Sequence, residues 1–87
     1  VSVSVGKHLK NLSKNKQILC ITHLASIAVY ADTQIRIEKE SIEGKTFTRV
    51  KPVTGLEREE EIARMLSGDA VSEASMIHAR SLLSSCK

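Results

Sequence analysis

The chain has 87 residues, of which 41% are apolar but only 2% aromatic, so any core must be built from Ile, Leu, Val, Ala and Met. That length allows one small domain spanning residues 1–87. A net charge of +3 is too small to mark a nucleic-acid surface, and no apolar stretch is long enough to span a membrane or serve as a signal peptide.

In chain order, Val3 to Lys14 has helical spacing, with Val5, Leu9 and Leu12 on one side. Lys7, Lys10, Lys14 and Lys16 are read as a solvated face rather than a phosphate-binding one. Gln17–Thr22 places Ile18, Leu19, Cys20 and Ile21 in a row, the pattern of a strand covered on both faces, as in a parallel sheet. Cys20 there is expected to behave as a small buried hydrophobe, and Cys86 to be exposed. Neither has zinc-ligand spacing, and a reducing, cytoplasmic setting is the simplest reading of the pair.

Leu24 to Ala31 resumes helical spacing through Leu24, Ile27, Ala28 and Ala31. Thr33–Ile42 alternates, Ile35 and Ile37 on one side and Gln34, Arg36 and Glu38 on the other, giving a strand with one wet face. Gly44, free to take positive φ, turns the chain into Thr46–Val53, which completes an antiparallel hairpin, and Pro52 is expected to end its pairing. Thr54 with Glu57 predicts a capping box on a helix whose apolar face is Leu56, Ile62, Met65 and Leu66, stopped by Gly68. Ser72 caps a last helix with Ala74, Ile77, His78 or Ala79, and Leu82 facing inward. The predicted order is α–β–α–β–β–α–α. A covered strand with too few partners is expected to belong to an α/β sheet whose other strands come earlier in a longer chain, and a start at Val1 rather than Met accords with that reading.

His23 is the leading candidate for chemistry. In open α/β sheets ligands bind beyond the carboxyl ends of the strands, and a side chain just after Gln17–Thr22 would sit there, with the Thr22 hydroxyl beside it. Imidazole exchanges hydrogen bonds and protons near neutral pH. Spacing alone leaves a capping or structural role open, and favours it. His8 is expected to face solvent and His78 to lie at an interior boundary. The three histidines have no metal-ligand spacing, and Glu57–Glu61 is read as a solvated helix start. Gly6, Gly44, Gly55 and Gly68 are isolated, so no phosphate loop is present. The chain is not a self-sufficient enzyme.

The stretch "QILCITHLASIAVYADTQIRIEK" nevertheless resembles a known pattern. A buried strand, Thr22–His23, a short helix ending at Ala31–Asp32, and a strand with Arg36, Glu38 and Lys39 are similar to the SMC-like branch of the ABC ATPases. The tail, with Glu60 to Leu66, Gly68, Ala74–Ser75 and His78–Ala79–Arg80, resembles the C-terminal part of the ATPase head of the RecN family of bacterial DNA repair proteins. The helix "VSVSVGKHLKNL" resembles the one after the family's D-loop, although Val1–Val3 departs from the usual small, polar start.

The resemblance implies a P-loop NTPase fold of ABC type, cut to its last elements. It assigns His23 as the switch histidine at the γ-phosphate and attacking water, where positioning and charge stabilisation carry most of phosphoryl-transfer catalysis. It implies ATP and Mg in the intact protein, bound by Walker A, signature and Walker B motifs that these residues lack, so neither cofactor is expected on the fragment alone. The implied partners are the remainder of the head, a second head in a homodimer, and DNA, in the bacterial cytoplasm at the nucleoid and with no membrane. The alternative is a small stand-alone protein-interaction module built on the Thr33–Val53 hairpin. A Walker A motif several hundred residues upstream in the reading frame would decide for the ATPase.

Overall fold

The computed structural model describes residues 2–68 and 71–86; Val1, part of the atypical start, lies outside them. Helix α1 spans Ser2–Leu12, α2 Ala25–Ala28, strands β1 and β2 Gln34–Ile42 and Lys45–Val53, and helices α3 and α4 Gly55–Ser67 and Glu73–Ser85. The architecture is α/β, a two-stranded antiparallel hairpin with helices before and after it.

Gly6 stands in the middle of α1, where glycine costs about 1 kcal/mol relative to alanine. Packing explains its presence. A Cβ at Gly6 would overlap Tyr30 Cδ2 and come within 3.0 Å of its Cε2 and 3.1 Å of the Ser26 carbonyl oxygen. The bare backbone of α1 therefore lies directly against the α2 region. Gly6→Ala is expected to destabilise the chain by about 1–3 kcal/mol, because overpacking outweighs the gain in helix propensity. A lower midpoint in urea unfolding would show it; a raised midpoint would mean that Tyr30 swings aside freely.

Between α1 and α2 the expected strand is not formed. Gln17–Thr22 carries no ladder, since β1 and β2 pair only with each other. Leu19 and Ile21 are 85% and 86% exposed, and Cys20 is exposed rather than buried. The physical reason is plain. A strand is made by its neighbours' hydrogen bonds, and the described residues supply no neighbour for this one. The observed order is accordingly α–α–β–β–α–α.

The hairpin pairs Gln34 with Val53 through Ile42 with Lys45. Glu43 and Gly44 both take positive φ, 50° and 78°, the signature of a two-residue type I′ turn, whose twist matches that of the strands. Pro52 does not end the pairing; it sits inside the ladder opposite Ile35. Every strand of a two-stranded sheet is an edge strand, so a residue without an N–H is accommodated there. The hairpin's orientation also reverses expectation. Gln34 and Val53 are buried and Arg36 and Glu38 half-buried, whereas Ile35, Ile37 and Val50 are exposed. The polar row is the inward one. Arg36 pairs with Glu38 in its own strand, and its Nε lies 3.9 Å from Oε2 of Glu61 on α3.

Thr54 occupies the N-cap position of α3, but its side chain makes no capping bond. Lys51 instead takes Glu57, the other half of the expected box, and the hydrogen bond from its Nζ holds the Glu57 carboxyl below its ordinary pKa. Gly68 closes α3 as expected, with φ 88° and its N–H on the Arg64 carbonyl at 2.9 Å. In α4 a full capping box forms: Ser75 N–H donates to Ser72 Oγ at 3.1 Å, and Ser72 N–H to Ser75 Oγ at 2.9 Å.

The core joins α2, α3 and α4 through Ala25, Val29, Ile62, Ala63 and Ala79, with Met65, Leu66, Met76, Leu82 and Leu83 packed around it. Cys86 packs here too, half-buried rather than exposed. Leu56 and Ile77, expected inside, are exposed, as are Ala74 and His78. The buried stripe of α4 instead runs through Ser75 and Ala79. Glu61, expected in solvent, is buried at 8% exposure, where Arg64 Nη2 meets Oε1 at 2.6 Å.

Candidate functional site

Thr22 and Leu24 set the geometry around His23. The Leu24 N–H donates to Thr22 Oγ1 at 3.0 Å, a local turn that bends the chain at His23. The Thr22 hydroxyl oxygen thus shapes the turn as an acceptor, which leaves its O–H able to donate. The Leu24 carbonyl then accepts from the N–H groups of Ile27 and Ala28, both at 3.1 Å, and starts α2. Ala25 and Val29 hold that single helical turn in the core. His23 is exposed, on the last bend before an anchored element. An imidazole in this position can meet an incoming group without moving the core.

The far end of α2 is held by Arg58, from the first turn of α3. Its Nη2 donates to the Ala31 carbonyl at 2.8 Å, with the carbonyls of Ala28 and Val29 at 3.4 Å. Its Nε donates to Gln34 Oε1 at 3.1 Å. Burial lowers the guanidinium's pKa from its ordinary value, and the charge of Asp32 opposes that shift. The acidic run Glu57–Glu61 masks this residue in the sequence. The available signal was that Arg58 is the one cation among four carboxylates.

An open cleft of about 680 Å³ has Lys10, Tyr30, Asp32, Arg58, Arg80 and Cys86 in its lining; His23 is not part of it. Its cations are already engaged. Lys10 pairs with Asp32, Arg80 Nε meets Glu59 Oε1 at 2.8 Å, and Arg58 serves the carbonyls. Burial, together with its hydrogen bond to Cys86, pushes the Tyr30 phenol above its ordinary pKa. The cleft therefore offers no cationic cradle for phosphate. Both His8 and His78 are exposed, on α1 and α4, the latter contrary to the expected interior boundary. Among the described residues no three His, Cys, Asp or Glu side chains are placed to hold a metal ion, and no helix is long and apolar enough to cross a membrane.

No family model matches the chain. It is similar to the DNA repair protein RecN of Treponema pallidum, 48% identical over 80 residues, which is 92% of this chain and 14% of that protein. It is 46% identical over 82 residues to RecN of Deinococcus radiodurans, 94% of this chain and 14% of the relative. With RecN of Bacillus subtilis the identity is 41% over 83 residues, 95% of this chain and 14% of that protein. The chain thus spans about a seventh of the length of the curated relatives it matches.

Proposed function

Because the chain is a RecN-like segment over nearly all of its length, we propose that it is the C-terminal segment of an ATPase head acting in DNA double-strand break repair and recombination. The observation that carries this reading is the 48% identity extending over 92% of the chain. In the intact protein the segment completes a P-loop NTPase fold of ABC type, as one domain with the remainder of the head. His23 is the switch histidine.

ATP and Mg belong to that larger assembly, in a bacterial cytoplasmic protein whose heads pair and which acts on DNA. The residues present are not expected to form a nucleotide site of their own. The sequence has no glycine-rich loop, and the cations of the cleft are paired. What this chain offers is one exposed imidazole on a turn built by Thr22 and Leu24. It can exchange a hydrogen bond with a phosphate oxygen or a water delivered by the other elements.

The test is a chimera. The matching segment of the Bacillus subtilis relative is replaced by this chain, and cells lacking their own copy are exposed to double-strand breaks. Survival comparable to that given by the unaltered relative is expected. A chimera that accumulates folded but restores no survival would overturn the reading. That result would favour the stand-alone interaction module, the second reading, which the exposed Ile35, Ile37 and Val50 face of the hairpin supports.

A further inference from the structure

We propose that Arg58 is a positioning residue for His23, acting through α2; this rests on the reading of His23 given above. Helix α2 is one turn long. A helix that short has no stability of its own, and the carbonyls of Ile27 and Ala28 accept from the Tyr30 and Ala31 N–H groups of the turn that follows, at 3.1 and 3.0 Å. Arg58 braces that turn from outside: one nitrogen donates to the Ala31 carbonyl just past α2 at 2.8 Å, with the Ala28 and Val29 carbonyls at 3.4 Å. A cation at a helix C-terminus is also favourable to the backbone dipoles.

The second arm of the guanidinium matters as much. Nε holds Gln34, the first residue of β1 and a buried one, so a single side chain ties together α2, β1 and α3. A planar fork can serve two sites in fixed geometry, which an ammonium cannot. His23 projects from the opposite end of the same helical turn, two residues before Ala25. The direction of its imidazole therefore depends on α2 being formed and held. Buried Ala25 and Val29 fix where that turn packs. Arg58 fixes its C-terminal end, and with it the rotation of the turn that carries His23.

The experiment uses the full-length ATPase carrying this segment, with Arg58→Ala, Arg58→Lys, His23→Ala and the double variant Arg58→Ala/His23→Ala. Arg58→Ala is expected to lower kcat for ATP by about 10- to 100-fold, the scale of a misplaced catalytic group, with KM little changed. Arg58→Lys is expected to recover only part of the loss. In the double variant the second substitution is expected to add almost nothing to His23→Ala, since the two act as one unit.

Amide hydrogen exchange supplies a readout independent of turnover. The Val29, Tyr30 and Ala31 amides are expected to exchange faster in Arg58→Ala while those of α4 keep their protection. Three results overturn the proposal: unchanged protection in α2, loss of protection in α2 and α4 together, or multiplicative effects in the double variant. If His23→Ala itself leaves turnover intact, the switch-histidine reading falls and the positioning role with it. If His23→Ala abolishes turnover but Arg58→Ala does not change it, only the positioning role falls.

Discussion

On the proposed function, replacing His23 with alanine in the full-length protein is expected to lower ATP turnover by about 10²- to 10³-fold, the usual cost of removing one preorganised hydrogen-bonding group from a charged transition state. On the same proposal, which puts the nucleotide-cradling motifs in the remainder of the head, nucleotide binding should be largely spared. The structure allows a clean reading of the result. His23 is exposed and outside the core, so its removal should change the stability of the isolated 87-residue chain by no more than about 0.5 kcal/mol. A steady-state ATPase assay beside a thermal unfolding curve separates the two effects. Turnover equal to the unsubstituted protein would remove His23 from the mechanism.

Ile62→Ala should act in the opposite way, on the fold rather than the site. Ile62 is 0% exposed and sits among Ala25, Val29, Ala63 and Ala79. Its fully buried neighbours are mostly alanines, and the Met and Leu side chains packed around the cluster set how far the cavity can relax. A loss of about 2–5 kcal/mol is expected. In a small domain with a stability of about 5 kcal/mol that is enough to abolish a folded baseline. Circular dichroism in urea would show a lost or strongly lowered transition. Ile62→Val, costing about 0.5–1.5 kcal/mol, should preserve it. If Ile62→Ala unfolds like the parent, the helices are held by something other than this cluster.

Local chemistry was legible in the sequence where a residue decides its own backbone. Gly44 and Gly68 take the positive φ expected of them, and Ser72 caps α4. The hairpin and the last two helices follow from such punctuation. The choice of inward face was less legible. Alternation in Thr33–Ile42 defines two faces but not which of them meets the protein, where Arg36 comes to lie 3.9 Å from Glu61 of α3. In α4, Ala74, Ser75, Ile77, His78 and Ala79 differ too little in pattern to fix the stripe within one residue. Thr54 and Glu57 have the spacing of a capping box, but spacing does not reveal that Lys51 competes for the carboxylate. At the candidate site, the position of His23 after an apolar run was readable. The Thr22 bond that shapes its turn is local, between residues two apart, but the Arg58 clamp behind it depends on contact between distant segments.

Gln17–Thr22 was misread for a different reason. Apolar residues state a requirement for burial, not the identity of what buries them, and β structure requires hydrogen-bonding neighbours that composition cannot supply.

That bare run has a consequence for how the chain behaves among copies of itself. Ile18 to Ile21 is short, β-prone and uncharged, with Leu19 and Ile21 in water, the composition that nucleates intermolecular strand pairing. Lys14 and Lys16 stand immediately before it and are exposed. Strands stacking in register would bring these ammonium groups together, and their mutual repulsion opposes the stack. The two lysines are thus placed as gatekeepers beside an adhesive sequence, charges of the kind that oppose aggregation.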